Sequence, residues 1–192
     1  MSTTDRRTLI VDAAIELIAR SGIRALTHRA LDTALELPPG SSSYYFRTKR
    51  ALIEAIADRI SARSRSDFVA AGFAASDAAD LPSIAHGIAA WLDRLLLERR
   101  DHLIARHALI IDLIGDPELH ARLSKSLFSL EGAQELFRAN DFHDPNTAAA
   151  DFLAVLEGAV FDRLAGNRKD LPPGTPASIS QLTALLSPHL HH

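Results

Sequence analysis

Residues 40–46 read Gly40, Ser41, Ser42, Ser43, Tyr44, Tyr45, Phe46, GSSSYYF in one-letter code. Both tyrosines of the 192-residue chain stand here, side by side after three serines. A helix made only to be buried does not carry five hydroxyls in so short a run. The surroundings of the run are clearly punctuated. Leu37, Pro38 and Pro39 break the chain ahead of it, because proline lacks an N–H and restricts the residue before it. Upstream of the break, Thr27 has N-cap chemistry for a short helix carrying Ala30, Leu31, Ala34 and Leu35. Downstream, Thr48 can cap a long helix with Leu52, Ile53, Ile56, Ile60 and Phe68 along one side. Leu9, Ile10, Ala13, Ala14, Leu17 and Ile18 form the stripe of a first helix, which Ser21 and Gly22 end.

A supporting helix followed by two short helices and a tight connection is the arithmetic of a helix-turn-helix. In such a unit the second helix of the pair enters the DNA major groove and the one before it braces on the backbone. Serine and tyrosine hydroxyls donate to phosphates, and tyrosine rings lie against sugars and thymine methyls. Arg47, Lys49 and Arg50 follow at once, placed to meet phosphates and make binding salt-dependent. Spacing alone does not decide this, since all-α proteins often carry such pairs and a serine-rich segment after two prolines is commonly a solvated turn.

The residues themselves are more specific. From Leu26 through Leu52 the chain resembles the DNA-binding domain of the TetR (tetracycline repressor) family. The match falls on Gly40, Ser41, Tyr45, Phe46, Lys49 and Leu52, with Tyr44 at an aromatic position. The resemblance spans roughly residues 5–55 and implies roles by position. Thr27, His28 and Arg29 open the bracing helix and touch DNA, as does Gly40 at the turn. Ser41, Ser43, Tyr44 and Tyr45 take the reading positions, Lys49 clamps a phosphate, and Phe46 packs in the small core. Three departures stand out. Ser42 replaces an aliphatic residue on the buried face, which forfeits apolar burial of about 1–2 kcal/mol unless its hydroxyl bonds a carbonyl one turn earlier. Ser43 replaces a tyrosine. Glu36 and Pro38 replace the usual turn glycine and capping serine.

Composition narrows the function classes. The chain has no cysteine, which removes disulfides, thiol nucleophiles and thiolate-held metals. No apolar run approaches the ~20 residues of a membrane helix, so a cytoplasmic protein is expected. Residues 1–66 carry 11 Lys and Arg against 7 Asp and Glu, while residues 67–192 carry 10 against 17. A basic front and an acidic back suit two tasks, the front one facing a polyanion. The C-terminal His189, Leu190, His191 and His192 are either native or a tag remnant and bear on none of these expectations.

The pattern after the front is helical throughout, giving an all-α fold of about nine helices. Helices are expected near 82–98, 101–115, 117–139, 145–166 and 176–187, past a soft boundary at 72–81. Asp116, Asp144 and Thr175 each precede a proline at the first helical position. We divide the chain into a helix-turn-helix domain over residues 1–50 and a helical effector-binding and dimerisation domain over 51–192. The resemblance implies a dimer built from the two helices near 117–139 and 145–166, with Leu123, Leu127, Leu130, Phe152, Leu156, Gly158 and Val160 as candidates. Ordinary packing within the chain explains the same pattern. The helix near 101–115 is apolar almost all round, hence expected to be buried, yet carries His102, Arg106, His107 and Asp112. With Trp91, Leu95, Ile110 and Phe128, the residues His102, Arg106 and His107 are candidates for an effector pocket. Structural pairing of each polar residue is the plainer alternative.

The expected function is a ligand-responsive transcriptional regulator. It would act as a homodimeric repressor on a palindromic double-stranded DNA operator and be released by a small-molecule effector. Two other classes compete with this one. An enzyme is disfavoured: there is no His-Glu-x-x-His pair, nucleophile elbow or phosphate-binding glycine loop, and no catalytic residue, metal or cofactor is expected. A helical small-molecule-binding protein that has lost specific DNA binding is the alternative, supported only by Ser42 and Ser43.

Overall fold

Each helix start that the sequence marks with a capping side chain is a helix start in the structure, a computed structural model that describes residues 3–71 and 80–190. Helix α1 runs over Thr3–Ser21, α2 over His28–Ala34, α3 over Ser41–Tyr45 and α4 over Lys49–Ala71. They are followed by α5 (Leu81–Glu98), α6 (Arg100–Asp112), α7 (Pro117–Ser124), α8 (Leu130–Ala139), α9 (Pro145–Ala165) and α10 (Pro176–Leu186). The Thr27 hydroxyl accepts the Ala30 N–H and that of Thr48 accepts the Ala51 N–H, each at 3.1 Å. Asp116, Asp144 and Thr175 cap α7, α9 and α10, each ahead of a proline. The described residues contain helices and turns only. The boundary expected at 72–81 lies largely outside them, as do His191 and His192.

Two expectations need correction. The single helix near 117–139 is two helices, α7 and α8. The carbonyls of Leu123 and Ser124, which a continuous helix would offer to N–H groups four residues on, accept the Arg106 guanidinium at 3.1 and 3.0 Å. Ser129 then opens α8 by accepting the Gly132 N–H. Nor is α6 buried all round. Leu103, Ala105, Arg106 and Leu109 are buried, but Ile111 is 66 % exposed and Ile114, just past the helix end, 68 %.

The chain forms two compact units. The first comprises Met1–Ser66 and Asp101–Leu127, the second Asp67–Arg100 and Phe128–His192. In the first unit Ile10, Ile15 and Ile18 of α1 share one core with Leu31, Phe46, Leu52 and Ile56. Leu109 of α6 and Leu123 of α7 complete it. Arg59 of α4 clamps α1 through both oxygens of Asp12 at 2.8 Å. In the second unit α5 packs on α10 and α8 on α9. Phe137 is wholly buried there, edge-on to both Phe142 and Phe152. No helix among the described residues is long and apolar enough to cross a membrane.

Candidate functional site

The turn between α2 and α3 is held by one buried carboxylate. Asp32, 4 % exposed in the middle of α2, accepts the N–H of Gly40 at 2.7 Å and of Ser42 at 2.8 Å. Those are first-turn donors of α3, which no residue within that helix can satisfy. Burial pushes the Asp32 carboxyl up, but the Ser42 and Gly40 donors with nearby His28 outweigh it and hold it below the usual aspartate value. Gly40 itself sits at φ 90, a left-handed conformation that glycine adopts without strain. Glu36, in the same turn, takes φ 53 without being glycine.

Ser42 is buried completely, and its hydroxyl is not orphaned. Its Oγ donates to the His28 carbonyl at 3.1 Å and lies 3.1 Å from Nδ1 of the same ring. The sequence predicts either a misfit or a bond one turn back; the partner is the neighbouring helix. With the Asp32 bonds, Ser42 therefore locks α3 to α2 on two atoms. From the other side, Arg7 of α1 donates to the Tyr45 carbonyl at 2.7 Å and lies 4.3 Å over the Phe46 ring. Phe46 is 1 % exposed, in the core as expected.

What α3 turns outward is hydroxylated and aromatic. Tyr44 is 77 % exposed and stands edge-on to the half-buried Tyr45 at 5.2 Å. The Ser41 and Ser43 hydroxyls donate to the carbonyls of Pro38 and Gly40, at 2.6 and 2.8 Å. Each must rotate to donate elsewhere. Thr27, Arg29, Arg47 and Lys49 are exposed, His28 half-buried. Arg50 is already committed within the first unit, paired with Glu54, Asp116 and Glu118, so its expected phosphate contact competes with three carboxylates.

The effector-pocket candidates fall in both units. Trp91 and Leu95 of α5 are buried in the second, with Trp91 edge-on to Phe128 at 5.9 Å and to Phe68 at 6.0 Å. In the first unit, Arg106 is 1 % exposed and directed into the carbonyls that end α7, also reaching Ser126 Oγ at 3.1 Å. His107 donates from Nδ1 to the Leu103 carbonyl at 2.8 Å, and His102 and Ile110 are half-buried. Among the dimer candidates, Leu123, Leu127, Phe152, Leu156 and Val160 face inward, at most 6 % exposed. Leu130 is 48 % exposed, and Gly158 is exposed as well. On α9 the exposed apolar face is formed by Ala150, Ala154, Gly158, Phe161 and Ala165.

The sequence profile described as bacterial regulatory proteins, tetR family, matches residues 10–56. That of the tetracyclin repressor-like C-terminal domain matches residues 79–188, more than half the chain. The chain belongs to the TetR family. A TetR-family member from Streptomyces coelicolor A3 is 27 % identical over 94 % of this chain and 98 % of that one, with a TM-score of 0.69. The multidrug binding protein EbrR in complex with ethidium is 28 % identical over 94 % and 98 %, with a TM-score of 0.64. A transcriptional regulator from Rhodococcus, 17 % identical over 96 % and 93 %, shares the fold at a TM-score of 0.77. No curated protein sequence matches the chain.

Within this TetR-family head, two functional supports escaped the sequence reading. Asp32 left a usable signal, an acid directly after Leu31 in the short apolar stretch of α2. Arg7 left none, since its partners lie 38 residues away or more.

Proposed function

We infer that this chain is a ligand-responsive DNA-binding transcriptional regulator, acting as a homodimeric repressor that leaves a palindromic operator when a small molecule binds. The observation that carries the reading is the pairing of a rigidly held α3 with an outward Tyr44. A side chain exposed on a well-anchored helix, with Arg29, Arg47 and Lys49 also exposed, suits groove entry with phosphate neutralisation. Thr27, His28, Gly40, Ser41, Ser43 and Tyr45 are proposed as the further contacts.

For the effector we propose the second unit, around Trp91, Leu95 and Phe128. Their edge-on rings, with Phe68, suit a flat aromatic compound, in keeping with the ethidium complex of EbrR. For the dimer we propose the exposed face of α9, where small residues let two backbones approach. Half-sites would then lie about one duplex turn, ~34–36 Å, or a multiple apart. An effector releases the protein only by binding the non-operator conformation more tightly.

Fluorescence anisotropy with duplexes from the upstream DNA of its own gene tests the reading. Saturable, sequence-selective binding that weakens steeply with salt is expected. A folded dimer that binds ethidium but no duplex at low salt would instead establish the alternative, a ligand-binding protein without operator recognition.

A further inference from the structure

The second unit holds a buried cation that its own chain leaves under-satisfied. Arg163, on the last turns of α9, is 4 % exposed. Its Nη2 donates to the Leu171 carbonyl at 2.8 Å, while Nε and Nη1 are buried with no hydrogen-bond partner. A guanidinium has five N–H groups on two forked edges that share Nη2. With one N–H of Nη2 engaged, one complete edge remains open whichever N–H that is. Burial pulls the Arg163 pKa down from its ordinary value; Asp93 and Asp162 oppose this only through space, and Arg168 adds to it.

The neighbouring carboxylates are occupied. Asp93, 3 % exposed on α5, accepts the Gly174 N–H at 2.8 Å and the Ser178 hydroxyl. Asp162 accepts the Asn167 N–H and Arg168 Nη1, each at 2.8 Å. These bonds fix the loop after α9. Between that loop and α5 lies a cleft of about 190 Å³ lined by Leu96, Arg100, Arg163, Lys169, Leu171 and the adjoining Pro172 and Pro173. Its charged lining is wholly cationic, its remaining walls mostly apolar.

We propose that this cleft binds a small organic carboxylate, towards which Arg163 turns its unpaired edge, enclosed in the free protein, while the hydrocarbon body lies against Leu96, Leu171 and the prolines. A planar carboxylate matches the guanidinium fork bidentately. Arg100 and Lys169, both exposed, attract the anion to the mouth. A cavity of about 150 Å³ suffices for benzene, so benzoate is a fitting probe. The site is separate from the aromatic trio of Phe68, Trp91 and Phe128, and the proposal does not depend on operator binding.

Isothermal titration of the full chain, without DNA, with benzoate, benzamide and inorganic phosphate tests it. Benzoate binds, and benzamide, its neutral analogue, binds at least ~10-fold more weakly. Arg163→Met abolishes benzoate binding, and the double variant Arg100→Gln with Lys169→Gln, at exposed positions, weakens it several-fold. The proposal is overturned by no benzoate heat with the intact protein, by equal affinity for benzamide, or by unchanged affinity in Arg163→Met. Phosphate binding more tightly than benzoate overturns the carboxylate assignment. Should Arg163→Met not fold, the double variant decides, and unchanged benzoate affinity in it overturns the proposal.

Discussion

The carboxylate of Asp32 accepts the backbone N–H of Ser42 at 2.8 Å, so the bracing helix α2 supplies the cap that the reading helix α3 lacks. A five-residue helix is too short to persist by itself. Its orientation, and with it the aim of Tyr44, therefore depends on partners outside it.

Replacing Asp32 by asparagine keeps the shape but removes the charge, and one backbone N–H then faces an amide donor. Hydrogen bonds to a buried charge contribute about 1.5–3 kcal/mol each, so we expect a loss of that order in urea unfolding and a matching loss of DNA affinity. The pH dependence has a defined sign. The folded-state pKa of Asp32 is held below its ordinary value, so its stabilisation is complete above the unfolded value of about 4 and is lost as pH falls through the folded value. Acid titration of stability should show this component in the native protein and not in the asparagine variant.

Ser42→Leu tests whether the buried serine is a defect. Leucine restores apolar area, but the site is fully enclosed and the hydroxyl that bonds His28 disappears. Overpacking costs about 1–3 kcal/mol, with the hydrogen bond to His28 lost in addition. Destabilisation is expected; a raised unfolding midpoint would show that α3 relaxes enough to accept the larger side chain.

Much of the fold was legible because its signals are local. Thr27, Thr48, Asp116, Asp144 and Thr175 act on N–H groups three residues away, and a reader of sequence sees both partners at once. The break after α7 was hidden because it depends on Arg106, 17 residues upstream of the carbonyl it takes. Of the reading head, the outward Tyr44 and inward Phe46 follow from motif and periodicity. The roles of Asp32, Ser42 and Arg7 do not, since each is set by a contact between helices. For the same reason the inward turn of Phe152, Leu156 and Val160 could not be told from an outward one: α9 is apolar on both faces.

Glu36→Gly should stabilise the head. At φ 53 a side chain is strained where glycine is not, whereas glycine also loosens the unfolded chain. Where the native φ is positive the strain term prevails. A gain of up to about 1 kcal/mol in denaturant melts, with DNA affinity unchanged, is the expected outcome.

Tyr44→Ala separates function from folding. With 77 % of the residue exposed, truncation removes little packing, and stability should stay within about 0.5 kcal/mol. Operator affinity, read by anisotropy, should fall at least ~10-fold, as for losing about 1.4 kcal/mol of contact. Unchanged affinity would remove Tyr44 from the interface and shift the reading function to Tyr45.

Arg106→Met distinguishes a structural cation from an effector ligand. The guanidinium holds the Leu123 and Ser124 carbonyls and Ser126 Oγ, and methionine fills much of the space without a donor. Hydrogen bonds from a charged donor contribute about 1.5–3 kcal/mol each, and Leu123 keeps its bonds from Ser126, so a loss of roughly 2–4 kcal/mol is expected. The loss should be the same with and without ethidium, because the residue is turned into the end of α7. Should the native chain bind the dye, as proposed, a variant of near-native stability that does not bind it would reverse the assignment, making Arg106 a pocket residue.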